Sequence, residues 1–551
     1  MINHSYGRSA GRALRIAALS ALFGSFMQIS AATYFISPQG GNDANNGLSA
    51  QSPWKSLEKI YVKSYSTAPF QPGDQILLNR GEVWDGQIRL HAVGTSAKPV
   101  VLGAYGTGVA PLIYGDNHSV TWVAVSGYPG IYQAYIGKGS IVSAAYDGSA
   151  HLTAVSAVAA GGHILNLALA ADLKTYLDML SPGSFGPPTA TDTLWVRTST
   201  GAAPTKVRAY RAAAVYVENS HYVTVQGLSI KNTNEGVDVS GSSNVAVTGN
   251  SIQSTLGIGV YLRGGDINCS VESNLLSTTG NDALYVLSGT DNIFSSNTIT
   301  NVTDTVLGLP TTGDHAAIGL QQSVNTLVEH NSMSSVKGSG VDYYYESGST
   351  VRYNYLFDVG GGIFPHGTNL SVYYNIINAR WRYYGQAGHD GIHATNTGAG
   401  TILVYNNVIY AINDFGLMGS GTGKIYFRNN LVYSANPVGT LLSTGANTDS
   451  DFNCFYTSGV PIFVNGSGTY QDLTAFSRAV GDDQHSVFGD PRFAVSTPAA
   501  ANDFYLSTLS PCLAAGVDLK VIGLIGLSAE YLDYAGVSVP KGLQPSIGAF
   551  E

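Results

Sequence analysis

Residues 250–297, NSIQSTLGIGVYLRGGDINCSVESNLLSTTGNDALYVLSGTDNIFSSN, place Asn250, Asn274 and Asn297 at steps of 24 and 23. Each Asn is followed by short alternating apolar runs separated by Gly, Ser or Asn. The same step extends outward, back to Gly227 and forward through Asn331, Asn354, Asn375, Asn407, Asn430 and Asn453. The later intervals are 34, 23, 21, 32, 23 and 23, so a unit of about 23 residues recurs with two insertions of roughly ten residues. Strands this short cannot bury an apolar face alone, whereas stacking one unit on the next buries a continuous core. Leucine-rich repeats need an L-x-x-L-x-L pattern that is absent, and propeller blades need about twice this period. Three short strands per coil of a parallel β-helix fit. Asn at one place in every coil is read as structural, because Asn tolerates the left-handed conformation and its amide can bond to the coils above and below.

Composition agrees with that all-β reading. Of 551 residues only 11% are charged, against roughly 25% in ordinary globular domains, while 66 are Gly. Long helical bundles and coiled coils lack their Ala/Glu/Lys/Leu-rich signature here. A net charge of −9 disfavours a nucleic-acid partner, which needs a basic stripe to displace counterions. After the first thirty positions no apolar run is long enough to span a membrane. Residues 1–32 read as a secretory signal: Arg8, Arg12 and Arg15, an apolar core from Ile16 to Ile29, and Ser30-Ala31-Ala32 as the cleavage site. The mature chain is expected to begin near Thr33, outside the cytoplasm, secreted or periplasmic, and to be monomeric. Cys269, Cys454 and Cys512 are odd in number and far apart, so they are expected to be small buried hydrophobes, not a disulfide framework.

Along the chain the expected organisation is a cap with the first coils at 33–115, an inserted subdomain at 116–214, the regular β-helix at 215–465 and a closing segment at 466–551. Trp54, Leu57, Ile60 and Tyr61 have helical spacing, which predicts a short helix capping the open end of the solenoid.

Several stretches resemble known proteins. Tyr34-Phe35-Ile36-Ser37-Pro38, the run Gly41 to Gly47, Pro53-Trp54-Lys55-Ser56-Leu57 and Gln71-Pro72-Gly73-Asp74 resemble the entrance of right-handed parallel β-helix proteins of the pectate-lyase-like superfamily. Asp490-Pro491-Arg492-Phe493, Asp503-Phe504-Tyr505-Leu506, Ser510-Pro511-Cys512 and the terminal Gly548-Ala549-Phe550-Glu551 resemble their exit. Most members are secreted carbohydrate-active enzymes, so the resemblance implies a polysaccharide or oligosaccharide substrate. Architecture alone does not choose the reaction.

Strand alternation does narrow the site. With Val237, Val260, Leu284, Ile318, Val341, Ile363, Ile392 and Leu417 pointing inward, their neighbours Asp238, Tyr261, Tyr285, Gly319, Asp342, Phe364, His393 and Met418 share one outward face. Two residues on, the face carries Ser240, Arg263, Gln321, Tyr344, His366, Thr395 and Ser420. Asp342, Tyr344, Glu346, His366 and His393 are thereby expected in a patch two to three coils tall. Asp238 is expected to be a solvated surface carboxylate. Both insertions arrive just before strands of this patch: one brings Asp314-His315, the other Arg380-Trp381-Arg382-Tyr383-Tyr384 and His389-Asp390. Long loops beside a rigid sheet supply binding walls, with aromatic platforms and arginines for an acidic glycan. Five of the 12 histidines lie between 315 and 393; His330, next to Asn331, is read as structural.

Three functions follow. A glycoside hydrolase needs two carboxyl groups, Asp342 with Asp314 or Asp390, with His366 and His393 tuning them and Tyr344, Glu346, His315, Arg380, Trp381, Arg382, Tyr383 and His389 holding substrate. A polysaccharide lyase or uronate epimerase needs a base, His393 or His366, an acid, Tyr344, and Arg380 or Arg382 to neutralise the uronate. Ile363-Phe364-Pro365-His366 resembles the Asp-Pro-His stretch of alginate epimerases, except that Phe364 stands in place of its Asp. A noncatalytic glycan-binding solenoid would instead spread aromatics along the face. No metal-ligand spacing is present, and no cofactor is expected beyond a structural calcium at Asp43, Asn45 and Gly47, which otherwise form a turn.

Overall fold

The computed structural model describes residues 30–117, 120–158, 164–187, 191–311, 315–379, 391–412, 414–434, 439–526, 531–542 and 544–551. The first strand, Thr33–Ile36, pairs in parallel with Gln75–Asn79 and opens a 13-stranded parallel sheet that climbs the molecule to Thr448–Asp451. Two further columns of parallel strands complete each coil, as in Glu235–Ser240, Ser243–Thr248 and Ser251–Thr255. Those two columns merge into one 26-stranded sheet, because Ser332–Tyr344 and Tyr355–Phe364 run through the corner between them. The fold is a parallel β-helix with strands of three columns stacked coil on coil.

The core runs the length of the solenoid. All eight residues assigned inward, Val237, Val260, Leu284, Ile318, Val341, Ile363, Ile392 and Leu417, are 0% exposed. Just before each stands Gly or Ala: Gly236, Gly259, Ala283, Ala317, Gly340, Gly362, Gly391 and Gly416. A Cβ on Gly236 would lie 2.4 Å from the Gly259 carbonyl oxygen, and one on Gly362 only 1.9 Å from that of Gly391. Backbone packs on backbone at this corner, so large side chains are shut out.

The asparagine ladder is a hydrogen-bonded column. From Asn250 to Asn430, each ladder Asn gives its backbone N–H and its side-chain amide to the Oδ1 of the next, for example Asn297 to Asn331 at 2.9 and 3.0 Å. Two expectations are corrected here. The first rung is Leu228, whose N–H bonds Asn250 Oδ1, and not Gly227. The left-handed residue is the one before each Asn: Gly249, Ser273, Ser296, His330, Tyr353, Tyr374, Asn406, Asn429 and Phe452 all have φ between 52° and 63°. His330 thus stands in a backbone role.

The capping helix is Glu58–Ser64, with Ile60 buried and Trp54 and Leu57 packed into the first coils. Between the coils, the described residues of 123–211 form two largely antiparallel sheets and a helix, Ala170–Met179, with apolar clusters of their own around Phe185 and Tyr176. Beyond Asn465 come a helix, Leu473–Val480, and a tail that packs Tyr531 and Phe550 over a tyrosine-rich wall of the coils that includes Tyr374, Tyr405 and Tyr410. Cys454 and Cys512 form a disulfide across 58 residues, joining a late coil to this tail. This corrects the expectation for those two cysteines, while Cys269 is free and buried as expected. Asp43 accepts the N–H groups of Lys55 and Ser56 and so pins its own loop. Among the described residues no helix is long and apolar enough to cross a membrane. Residues 1–29, which hold most of the stretch expected to be a secretory signal, lie outside the described residues.

Candidate active site on the outward sheet face

The strand register brings the outward residues into one column. Asp238 pairs with Tyr261, Tyr261 with Tyr285, Tyr285 with Gly319, Gly319 with Asp342 and Asp342 with Phe364; above them His393 pairs with Met418. The second column runs from Gln321 to Tyr344, then through His366 to Thr395 and Ser420. Parallel pairing repeats roughly every 4.8 Å, so neighbouring side chains in a column touch or nearly touch.

Of the residues singled out from the sequence, Asp342, Tyr344, His366 and His393 lie together on this face. The Tyr344 and His366 rings are 6.5 Å apart, Phe364 and His393 6.2 Å, and the well-exposed Tyr345 sits 4.9 Å from His366. Burial, aided by His393 alongside, pushes the His366 imidazole below the ordinary histidine range, so its neutral form is favoured. Asp314, Arg380, Trp381, Arg382, Tyr383, Tyr384, His389 and Asp390 lie outside the described residues. His315 is described but buried, at 8% exposure, and its carbonyl accepts the Gly338 N–H.

Glu346 is a correction. It is 1% exposed, with its carboxylate bonded to the Ser323 N–H and hydroxyl and to the Ser349 hydroxyl, so it faces the core corner and not the patch. Tyr345, at φ 59°, ends the strand alternation and reverses the side of the next residue. Asp266 does the same work lower in the solenoid, bonding the N–H groups of Ser242 and Arg263.

Asp238 is the second correction. Its carboxylate is 0% exposed and takes a forked pair of bonds from Arg263 Nε at 3.0 and 2.9 Å, with a further ion-pair contact from Nη2. Glu235, at the start of the same strand, also bonds Asp238. Burial, and then the neighbouring Asp238 charge, push the Glu235 carboxyl well above its ordinary range. The two carboxyls therefore share a proton opposite one guanidinium. Glu235 keeps that proton in the folded chain where the unfolded chain has lost it, so stability should fall as pH rises from near 4.5 through neutrality. Glu235→Gln should flatten that dependence, seen as urea midpoints at about pH 5 and about pH 8 that lie closer together than in the unaltered chain.

Alternation reasoning missed Asp282. It belongs to the turn before the strand Leu284–Leu287 and reaches over the next coil, where its Oδ1 accepts the Ala316 N–H at 2.9 Å. Its Oδ2 lies 2.4 Å from where a Cβ on Gly319 would stand, against the Tyr285 ring. The Asp282 carboxylate thus fills the gap left by the one glycine in the column. Gly319 and Asp342 are register partners, so the strand carrying Asp342 lies one coil, roughly 4.8 Å, beyond the strand that the Asp282 carboxylate overlies. The available signal was Gly319 itself, a missing side chain in a column of large or charged ones.

A family model described as "Right handed beta helix region" matches residues 198–307 and 235–400. A lacto-N-biosidase of Bifidobacterium longum subsp. longum is 38% identical over 80 residues, which is 14% of this chain and 5% of that protein. Among solved structures, one titled as a complex of XylC with xylose is 13% identical, covering 85% of this chain and 88% of that one at a TM-score of 0.46. A GH136 lacto-N-biosidase from Eubacterium ramulus is 16% identical, covering 83% and 67%, at 0.41. A mannuronic acid specific family 6 lyase from human gut microbiota is 14% identical, covering 86% and 89%, at 0.43. The parallel coils and their continuous register give the chain the fold of a parallel β-helix, and the right-handed β-helix model matches its centre, residues 198–400.

Proposed function

We propose that this protein is a carbohydrate-active enzyme, exported from the cell, that hydrolyses glycosidic bonds on its outward sheet face with Asp342 and Asp282 as the carboxyl pair. The observation that carries this reading is the Asp282 carboxylate lying over Gly319, one coil from Asp342. Carboxyls presented by neighbouring coils, whose strands stack about 4.8 Å apart, suit a retaining glycosidase, with carboxyls about 5–5.5 Å apart, better than an inverting one, with about 6.5–9.5 Å. Asp282, fixed by the Ala316 N–H, attacks the anomeric carbon. Asp342, more accessible, donates a proton to the leaving oxygen as the glycosidic C–O bond breaks. Asp342 then takes a proton from water, whose oxygen replaces Asp282 on the sugar. Tyr344, Tyr345 and His366 offer flat faces and hydrogen-bonding edges beside the pair. The local identity with a lacto-N-biosidase is compatible with this chemistry.

One observation favours a second reading. His366, held neutral beside Tyr344, is a base and acid arrangement suited to eliminating across a uronate. A panel of neutral and uronate glycans tests both readings. New reducing ends released first with retained anomeric configuration, by proton NMR, and without the ultraviolet absorbance of an unsaturated uronate, support hydrolysis by this pair. That absorbance appearing together with the new ends would overturn it in favour of the lyase. An inverted product would reject the one-coil pair.

A further inference from the structure

A cavity of about 250 Å³ opens at the starting edge of the catalytic sheet, where three separate segments meet. Its floor is Asn234, Glu235, Leu256, Ile258 and Asn281 from three successive coils. Its walls are Tyr146 from the inserted antiparallel sheets, and Pro310 with Thr311 from the hairpin Thr305–Pro310. The wall is built in: Tyr210, Leu256, Val306 and Leu309 pack as one apolar cluster with Tyr146 against it, and the Thr311 N–H bonds the Asp304 carbonyl. Asn281 immediately precedes Asp282, so the cavity adjoins the proposed pair.

The volume lies just under the roughly 300–1,000 Å³ of drug-sized sites, which suits a single sugar ring. The chemistry of the lining suits an uncharged one. Two amides, a phenol and a hydroxyl offer donors and acceptors, while Leu256, Ile258 and Pro310 supply apolar surface for a ring's C–H face. No Lys or Arg is among the described lining residues. Asp238, which bonds Glu235 from behind the lining, is already matched by Arg263, and Arg208, the strand partner of Tyr146, is paired with Asp116. A uronate would bring a carboxylate against a carboxyl with no lysine or arginine in the described lining to meet it, a desolvation left uncompensated.

We propose that this cavity binds one neutral sugar residue of the substrate beside Asp282, so that the enzyme selects neutral glycans over polyuronates. The assignment of that sugar as substrate rests on the hydrolytic reading; the binding itself does not. Binding is therefore measured in the Asp342→Asn protein, by saturation-transfer NMR titration with glucose, galactose, xylose and N-acetylglucosamine, and with glucuronate and galacturonate. At least one neutral sugar should bind and the uronates should bind at least tenfold more weakly. Tyr146→Phe and Asn281→Ala, each with an unchanged melting temperature, should weaken the neutral sugar about tenfold, the worth of one hydrogen bond. Uronates binding as tightly, no sugar binding, or both variants leaving affinity unchanged would overturn the proposal. Should the sugar bind as described while the unaltered enzyme cleaves nothing, the hydrolytic reading fails and the binding site stands.

Discussion

Asp342→Asn should lower turnover by roughly 10²–10⁴, the range expected for a lost acid–base group, with folding intact. Asn matches Asp in size, and residue 342 sits on the solvent side of a strand whose inward neighbours Val341 and Tyr343 carry the packing. The stability change should thus stay within about 0.5 kcal/mol, as for surface positions generally. Asp282→Asn should cost at least as much activity, because it removes the proposed nucleophile. The amide keeps an oxygen that can still accept the Ala316 N–H, so the position is held while the charge is lost. The double variant should be little worse than either single one, since groups that act together in one step are non-additive when removed. Steady-state kinetics on the best glycan of the panel, with thermal unfolding alongside, measure all three. Full activity in Asp342→Asn would remove the pair from the reaction, whatever Asp282→Asn did. Activity lost only in Asp282→Asn would leave Asp282 acting with a different partner.

What the sequence revealed about this site, and what it concealed, follows from the geometry of one coil. A step of about 23 residues and strict alternation were enough to place Asp342, Tyr344, His366 and His393 on one face, because a parallel register transmits each assignment to the next coil without slippage. Alternation holds only while the strand is extended. At Tyr345 the backbone turns left-handed, and Glu346 passes to the core corner, which no periodic rule anticipates. Asp282 escaped for the converse reason: it lies before its strand begins, and its side chain crosses to the next coil through space that Gly319 leaves open. The Asp238–Arg263 pair joins neighbouring coils 25 residues apart, a separation that carries no signal until the coils are stacked. The Cys454–Cys512 bridge was hidden likewise, because the tail folds back over coils far from it in sequence.

The largest expected effect on stability is at the ladder. In the middle of the column, Asn331 accepts from the Asn297 N–H and side-chain amide, and its own amide donates to the carbonyls of Phe294 and Glu329 and to Asn354 Oδ1. The residue is 1% exposed, so water cannot replace these partners. Asn331→Ala would strand at least two buried polar groups, at about 1–3 kcal/mol each, for a total of roughly 4 kcal/mol. Its neighbour provides the contrast. His330 is exposed, stacks on Tyr353 at 5.1 Å, and holds φ at 56°, a conformation that costs a non-glycine residue about 1–2 kcal/mol. His330→Gly relieves that strain but loosens the unfolded chain and loses the stack, so its net effect should stay within about 1 kcal/mol. Two adjacent substitutions thus separate side-chain bonding from backbone shape as the source of the coil's fixed step. Because neighbouring coils support one another, the Asn331→Ala damage should spread along the solenoid axis. Amide hydrogen exchange should show protection lost first in Leu327–Glu329 and Thr350–Arg352, the strands that enter the ladder at Asn331 and Asn354, with the tyrosine wall and tail affected later. A loss under about 1 kcal/mol in Asn331→Ala would mean that the core side chains alone hold the coils, and that the ladder records the register without enforcing it.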